Sequence, residues 1–323
     1  MTTTTISIII LQFNNSEDTI QCIEFVKKLS WPNFGVIIVD NASSPEHQQN
    51  IRAYVNSQGS IVHKLLALDN NLGYSGGNNA GIKYALEHGA DYVFILNPDV
   101  SVKPDLLDKL IKKAESDKEI GIVGPAINES RTFPEEDTPH QEIDAPGRVR
   151  DESGRTVYSG KINWLVPELR HNIIPTTHYQ LLTTNYVIGS SMLIKKAVFD
   201  RIGFLDEKYF LYFEDADFNV RAQKAGFKLA IEPNAMVYHK VSSSTSSLGP
   251  TKLLYYHYRN AHLFNIKNGP VWAKLLLPFW SIYVILKQLA KILLIPSKRS
   301  VSIVILMGVM NFYMGRFGKM ANS

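Results

Sequence analysis

The sequence predicts an α/β fold: a mostly parallel, mixed sheet with helices on both faces, followed by a C-terminal helical tail. Three observations carry that expectation. Short apolar, β-branched runs recur at 7–13, 35–40, 61–68, 92–96 and 120–123. Segments with apolar residues at helical spacing separate them, at 17–29, 45–57, 78–88 and 104–116. The runs are continuous rather than alternating, which is the pattern of strands covered on both faces.

Taken in order, the first run ends at Asn14-Asn15, and Ser16 is placed to cap a helix whose apolar stripe is Ile20, Ile23 and Val26. The next runs end at Asp40-Asn41, Asp69-Asn70-Asn71 and Asn97-Pro98-Asp99. In open α/β sheets ligands bind outside the carboxyl ends of the strands. Four strand ends therefore bring amides and carboxylates to one edge. Pro98 cannot continue a central ladder, so the chain is expected to leave the sheet there and expose Asp99. Between them, residues 70–81 (NNLGYSGGNNAG) read as a Gly-rich loop entering a helix, able to bring N–H groups close to a phosphate or sugar. The same glycines suit a tight turn and close helix packing.

Composition narrows the classes. With 323 residues, 45% hydrophobic and 20% charged, the chain has room for one large domain or a domain with an appendage. A net charge of +4 is too small to argue for nucleic acid. The single cysteine, Cys22, excludes an intramolecular disulfide and a four-cysteine zinc site, and suits a reducing compartment. Residues 1–5 carry no basic n-region, so no signal peptide is expected. A nicotinamide enzyme is disfavoured because the turn after the first run has no glycine; no phosphate-binding GxxxxGK[ST] occurs either.

In the second half, residues 128–155 form a polar, turn-rich insert with Pro134, Pro139 and Pro146, and 151–155 read as a hairpin turn leading into 156–158. A strand is expected over 186–194, containing Gly189 and Ser190. The densest stretch is 210–221 (FLYFEDADFNVR), where an aromatic wall precedes Glu214, Asp215 and Asp217 at the start of a helix. Helix capping needs one carboxylate. Three packed behind aromatics favour a perturbed pKa suited to base work. Strands follow at 228–232 and 235–239, then a serine-rich flap at 240–248 and a tyrosine-rich helix at 255–260.

Val39-Asp40-Asn41-Ala42-Ser43, the 71–79 stretch, Leu96-Asn97-Pro98-Asp99-Val100 and Phe213-Glu214-Asp215-Ala216-Asp217 with Arg221 together resemble inverting family 2 glycosyltransferases of the GT-A fold, most of all the rhamnosyltransferase branch. The resemblance runs over roughly residues 6–267. It implies that Asp40, with Asn14 and Asn41, binds the donor nucleotide, and that Gly73, Gly76, Gly77, Asn78 and Asn97 line the donor pocket. It implies Asp215 as the general base with Glu214 beside it, and Gly189, Ser190 and Asp217 on the acceptor side. Asn97 stands where the family usually has a metal-binding aspartate. That leaves Asp99, with His239, to hold a divalent cation, Mg²⁺ or Mn²⁺. Arg259 is expected either to reach the diphosphate or to belong to an aromatic helix that simply packs on the domain.

The tail reads as two uncharged runs, 275–286 and 301–315, split at Pro296 and flanked by Lys287, Lys291, Lys298, Arg299, Arg316 and Lys319. The first run of twelve falls short of the ~20 residues that spanning needs. It is expected as a basic amphipathic helix lying on an anionic cytoplasmic leaflet; a homo-oligomer formed through a helical hairpin is the alternative. The expected organisation is a nucleotide-sugar domain over 1–250, with a variable insert at about 126–182, and a helical extension over 251–323. The expected protein is cytoplasmic and peripheral on the inner membrane face. It moves a sugar from an NDP-sugar, dTDP-L-rhamnose first, to a hydroxyl of a lipid-linked or cell-envelope glycan. The competing expectation is a catalytically silent sugar-nucleotide-binding or scaffolding protein.

Overall fold

The structure, a computed structural model, describes residues 4–58, 61–130, 155–157, 159–172, 184–240 and 249–321. Of the hairpin turn expected at 151–155 only Arg155 is described, as the first residue of a strand; most of the polar insert and nearly all of the serine-rich flap lie outside the described residues.

Strands β1 (Ile6–Gln12), β2 (Phe34–Asp40), β3 (Val62–Ala67) and β4 (Tyr92–Leu96) form a parallel block in the order β3-β2-β1-β4. Ile6, Ile8 and Ile10 of β1 pack into the core under helices α1 (Ser16–Val26), α2 (Pro45–Gln58) and α4 (Leu106–Glu115). Ile9 faces the other core, under α3 (Gly73–Glu87). Burial on both faces explains the continuous apolar runs.

The second half extends the block with β5 (Val100–Val102), β6 (Ile120–Ser130), β10 (Ser191–Lys195) and β11 (Lys228–Lys240). The full order is β3-β2-β1-β4-β10-β6-β11-β5, with β7 (Arg155–Val157) paired to β6. β10 is antiparallel to both of its neighbours, so the sheet is mixed. Helix α5 (Lys196–Ile202) follows β10, and α6 (Glu214–Lys224) precedes β11. A separate two-stranded sheet, β8 (Ser159–Asn163) with β9 (Glu168–Asn172), is tethered through a bridge from Gly160 to Tyr186.

Three local expectations are corrected. The chain does turn out of the sheet at Pro98, but it re-enters at once as β5, antiparallel to β11. Asp99 is therefore 1% exposed rather than open to solvent. The glycine run 73–77 is not a loop but the first turns of α3. A side chain on Gly77 would collide with Leu11 of β1, so this glycine lets the helix lie directly on the sheet. The strand expected over 186–194 shortens to β10, and Ile188, Gly189 and Ser190 before it form one wall of a cavity.

The C-terminal helices are α7 (Gly249–Asn268), α8 (Val271–Leu294) and α9 (Arg299–Tyr313). α9 packs against both α7 and α8, and α7 also packs against α6. The run read as twelve residues belongs to one continuous 24-residue helix, which continues through Pro278. By length and composition it is long enough to cross a membrane. Ala273, Leu277, Ser281, Val284 and Gln288 make its buried stripe. Leu275, Phe279, Ile282, Leu286 and Leu293 are among the apolar side chains it exposes.

Candidate active site

Each strand of the parallel block delivers one asparagine to a common cavity of about 480 Å³: Asn15 after β1, Asn41 after β2, Asn71 after β3 and Asn97 after β4. Asp99 and His239 line the same cavity, as do Gly73, Gly189, Ser190, Glu214 and Asp215. The topology accounts for this meeting. Parallel strands end on one edge, and the long β11 crosses β5 so that His239 pairs with Val100.

The Asn41 amide nitrogen donates to the Asn71 side chain and to the Gly73 carbonyl, both at 3.1 Å. Gly73 has φ 73°, and a Cβ there would strike the Phe210 carbonyl, so this position requires glycine. The Tyr74 amide donates to that carbonyl at 2.6 Å, and the Tyr74 hydroxyl donates to the Gly189 carbonyl at 2.6 Å. The start of α3 is thereby tied to both the aromatic stretch and the loop before β10.

That aromatic stretch is strained. Phe210, Tyr212 and Phe213 have φ of 64°, 70° and 73°. Bulky residues in that region cost of order 1–3 kcal/mol each, and persist only when their surroundings over-determine them. α7 supplies the constraint. The Asn260 side-chain amide donates to the carbonyls of Tyr209, Leu211 and Tyr212 at 2.8, 2.7 and 3.0 Å. Arg259 donates to the carbonyls of Tyr209 at 2.9 Å and Gly318 at 2.6 Å, and lies over the Tyr255 and Tyr256 rings. Arg259 was expected at the diphosphate. It is instead wholly buried, with its donors committed to backbone carbonyls and to the Asn260 side chain, so it braces the site and does not line it.

The strain aims the start of α6 into the cavity. The Asp215 carboxylate accepts from the Gly189 amide at 2.9 Å and from the Ala216 amide at 2.7 Å. Glu214 is buried beside it, and its Oε2 finds no hydrogen-bond partner among the described residues. Burial, and then the charge of Asp215, push the Glu214 carboxyl well above the usual range. Burial also raises Asp215, but the two backbone amides oppose it. Of the two, Glu214 is raised further, so Asp215 is the carboxyl that ionises first. Neither acts as a side-chain N-cap; the N-cap position is Phe213.

Asp217 is not on the acceptor side. It is fully buried and turned away from the cavity, held by Arg221 at 2.7 Å and Lys267 at 3.1 Å. Asp40 lies just behind the cavity, hydrogen-bonded by Gln12 and, at 2.8 Å, by Gln48. Asn14 caps the Ser44 amide at 2.7 Å, and its neighbour Asn15 lines the cavity in its place. Gly76, Gly77 and Asn78 are buried inside α3. Sequence reasoning missed Tyr74, Tyr186, Leu169, His171 and His257 as lining residues.

Asp99 and His239 meet at 3.2 Å, from Oδ1 to Nε2. Burial alone would lower the His239 pKa; the hydrogen bond and charge of Asp99, with Glu129, outweigh it and raise it. One carboxylate oxygen and one imidazole nitrogen suit Mn²⁺ or Mg²⁺ only if the ligand's phosphates and water complete the shell, which is how such cations are commonly held. No group of three or more metal-binding side chains occurs among the described residues. The pair fits such an ion as a partial site.

A mixed sheet with an amide- and carboxylate-lined crevice beyond its parallel strand ends, closed by an acidic pair on a strained turn, is a GT-A fold. The mannosyltransferase PcManGT from Pyrobaculum calidifontis, solved with GDP-Man and Mn²⁺, shares it: TM-score 0.55 at 13% identity, covering 96% of this chain and 87% of that one. The glycosyl transferase family 2 profile matches residues 7–203, and the chain belongs to that family. The low-salt glycan biosynthesis hexosyltransferase Agl10 of Haloferax volcanii is 29% identical over 232 residues, which is 69% of this chain and 63% of that protein's length. The N-acetylglucosaminyl-diphospho-decaprenol L-rhamnosyltransferase of Mycobacterium tuberculosis is 26% identical over 250 residues, 73% of this chain and 76% of its own.

Proposed function

We propose that the chain is an inverting glycosyltransferase that moves a sugar from a nucleoside-diphosphate sugar to a hydroxyl of a lipid-linked or cell-envelope glycan. The observation that carries this reading is geometric: the cavity beyond the parallel strand ends receives Asp215, held by the Gly189 and Ala216 amides, beside the buried Glu214. Asp215 takes the proton of the acceptor hydroxyl. That oxygen bonds to the anomeric carbon from the face opposite the leaving group, and the bond to the diphosphate breaks with its electron pair. A divalent cation held by Asp99 and His239 would neutralise charge on the departing diphosphate. Asn15, Asn41, Asn71 and Asn97 orient the donor, with Asp40 supporting the base-binding end. Glu214 offers a neutral carboxyl to a sugar oxygen, while Gly189 and Ser190 form the acceptor wall.

The Mycobacterium relative's name supports an L-rhamnosyl donor and a lipid-linked saccharide acceptor, and dTDP-L-rhamnose is the first donor to test. Residues 1–250 form the catalytic part in this reading. Residues 251–323 are an extension lying on the cytoplasmic membrane face, and a homo-oligomer through that extension is the alternative. The test is donor hydrolysis over a panel of sugar nucleotides with Mn²⁺. One donor consumed well above the rest, by the wild type and not by Asp215→Asn, is the expected result. Binding without turnover of any donor returns the chain to a sugar-nucleotide-binding scaffold.

A further inference from the structure

The turn between β8 and β9 exposes two large apolar side chains, Leu165 at 62% and Val166 at 41%. Neither lines the catalytic cavity. At the start of α8, Val271 and Trp272 are 74% and 49% exposed. The two features adjoin: Trp164 and Leu165 from the turn and Trp272 from α8 line one groove of about 330 Å³. The turn is also fixed in place. Trp164 stacks on Phe264 of α7 at 5.1 Å with an interplanar angle of 4°, and its carbonyl accepts from Asn265. This apolar surface therefore continues that of α8.

Charge says what covers it. No Asp or Glu follows Glu232 in the sequence, whereas eleven Lys and Arg do. Lys161 and Arg170 border the groove; Arg170 pairs with Glu168 at 2.9 Å. An apolar face rimmed by tryptophans, on a C-terminal segment with an excess of cations, complements an anionic bilayer.

We propose that the β8–β9 turn docks on an anionic lipid bilayer together with the exposed face of α8, as a second contact that orients the catalytic domain. This rests on the membrane reading of the C-terminal extension and adds to it a residue-level contact outside that extension. The consequence is geometric. Leu169 and His171 of β9 line the catalytic cavity. At about 3.3 Å per residue, three steps from Val166 to Leu169 and five to His171 keep that wall within about 10–17 Å of the membrane contact. An acceptor whose lipid stays in the bilayer can then present its sugar to Asp215.

The test is flotation of the full chain with phosphatidylcholine vesicles, with and without phosphatidylglycerol, comparing wild type with Leu165→Asp/Val166→Asp. Both positions are exposed and outside the catalytic cavity, so folding and donor hydrolysis are expected to be unchanged. Wild type is expected to float with the anionic vesicles and the double variant to partition about tenfold less. An environment-sensitive fluorophore on Leu165→Cys should shift to the blue with these vesicles, and one on Lys118→Cys, in the exposed turn between α4 and β6, should not; Cys22 is buried and stays unlabelled. Equal flotation of both proteins with no shift at position 165 overturns the turn contact and leaves the extension on the membrane. A wild type that ignores vesicles and runs as a fixed oligomer overturns both, and makes this face an interface between copies. Donor hydrolysis, read in parallel, keeps the catalytic reading separate from either failure.

Discussion

The Gly189 amide donates to the Asp215 carboxylate at 2.9 Å, so the loop before β10 and the first turn of α6 fix each other across the cavity. The Ala216 amide adds a second donor to Asp215, and Glu214 has none through Oε2 among the described residues. Two adjacent carboxyls thus receive opposite treatment.

Asp215→Asn should lower the transfer rate on the order of a hundredfold or more while donor affinity by calorimetry stays within about threefold. Glu214→Gln preserves a neutral hydrogen-bonding group and should stay within about tenfold of wild type. Equal losses in the two variants would mean that the pair acts as a unit and that neither carboxyl can be singled out as the base.

The pH dependence follows from the same pair. The rate should rise with pH through the Asp215 pKa, which lies above the ordinary aspartate value. For stability the sign is the reverse. A carboxyl whose folded pKa is raised binds more protons when folded, so stability falls as pH rises from the unfolded value through the folded one. Glu214 is raised well above 4.5. Glu214→Gln removes its contribution. The variant should gain in melting temperature over wild type as pH climbs through neutrality, and the gap should close in acid. Parallel melting curves across pH would count against a buried, protonated Glu214.

If Asp99 and His239 hold a divalent ion with the donor, chelation should abolish transfer and Mn²⁺ or Mg²⁺ restore it. The sharper readout is binding. Nucleoside diphosphate affinity should depend on metal in the wild type and lose that dependence in Asp99→Asn and His239→Ala. Metal-independent affinity in the wild type would leave the pair as a buried ion pair alone.

Asn260→Ala removes three hydrogen bonds to the strained stretch before α6. The unfolding free energy should fall by about 2–4 kcal/mol, since buried carbonyls lose their donors. Turnover at a temperature where the variant is still folded should fall more than donor affinity. An unchanged rate would show that the strain is held by other contacts.

Much of this was legible in the sequence. The parallel block was readable because strands buried on both faces leave unbroken apolar runs, and because parallel strands put Asn15, Asn41, Asn71 and Asn97 on one edge whatever the details of packing. Arg259 was misread for a physical reason: a cation beside tyrosines looks alike whether it faces a phosphate or backbone carbonyls. Gly77 looked like part of a loop because a glycine that admits a sheet and a glycine that admits a ligand have the same spelling. His171 carried no local signal; only the pairing of β8 with β9 brings it to the cavity. The positive φ values at Phe210, Tyr212 and Phe213 run against what those residue types prefer, and contacts from distant elements, α7 and the start of α3, impose them.

Arg259 joins Tyr209, just ahead of the acidic pair, to Gly318, and Gly318 in turn donates to Lys208 at 2.9 Å. The brace under Asp215 is therefore completed by a residue made about a hundred positions later. At roughly 5–20 residues per second, Gly318 follows Asp215 out of the ribosome by on the order of 5–20 s. During that interval the nascent α/β body can fold around its sheet with its acidic turn unlocked. The acidic turn is locked only when the residues just beyond α9 have emerged, as a late event in the birth of the chain.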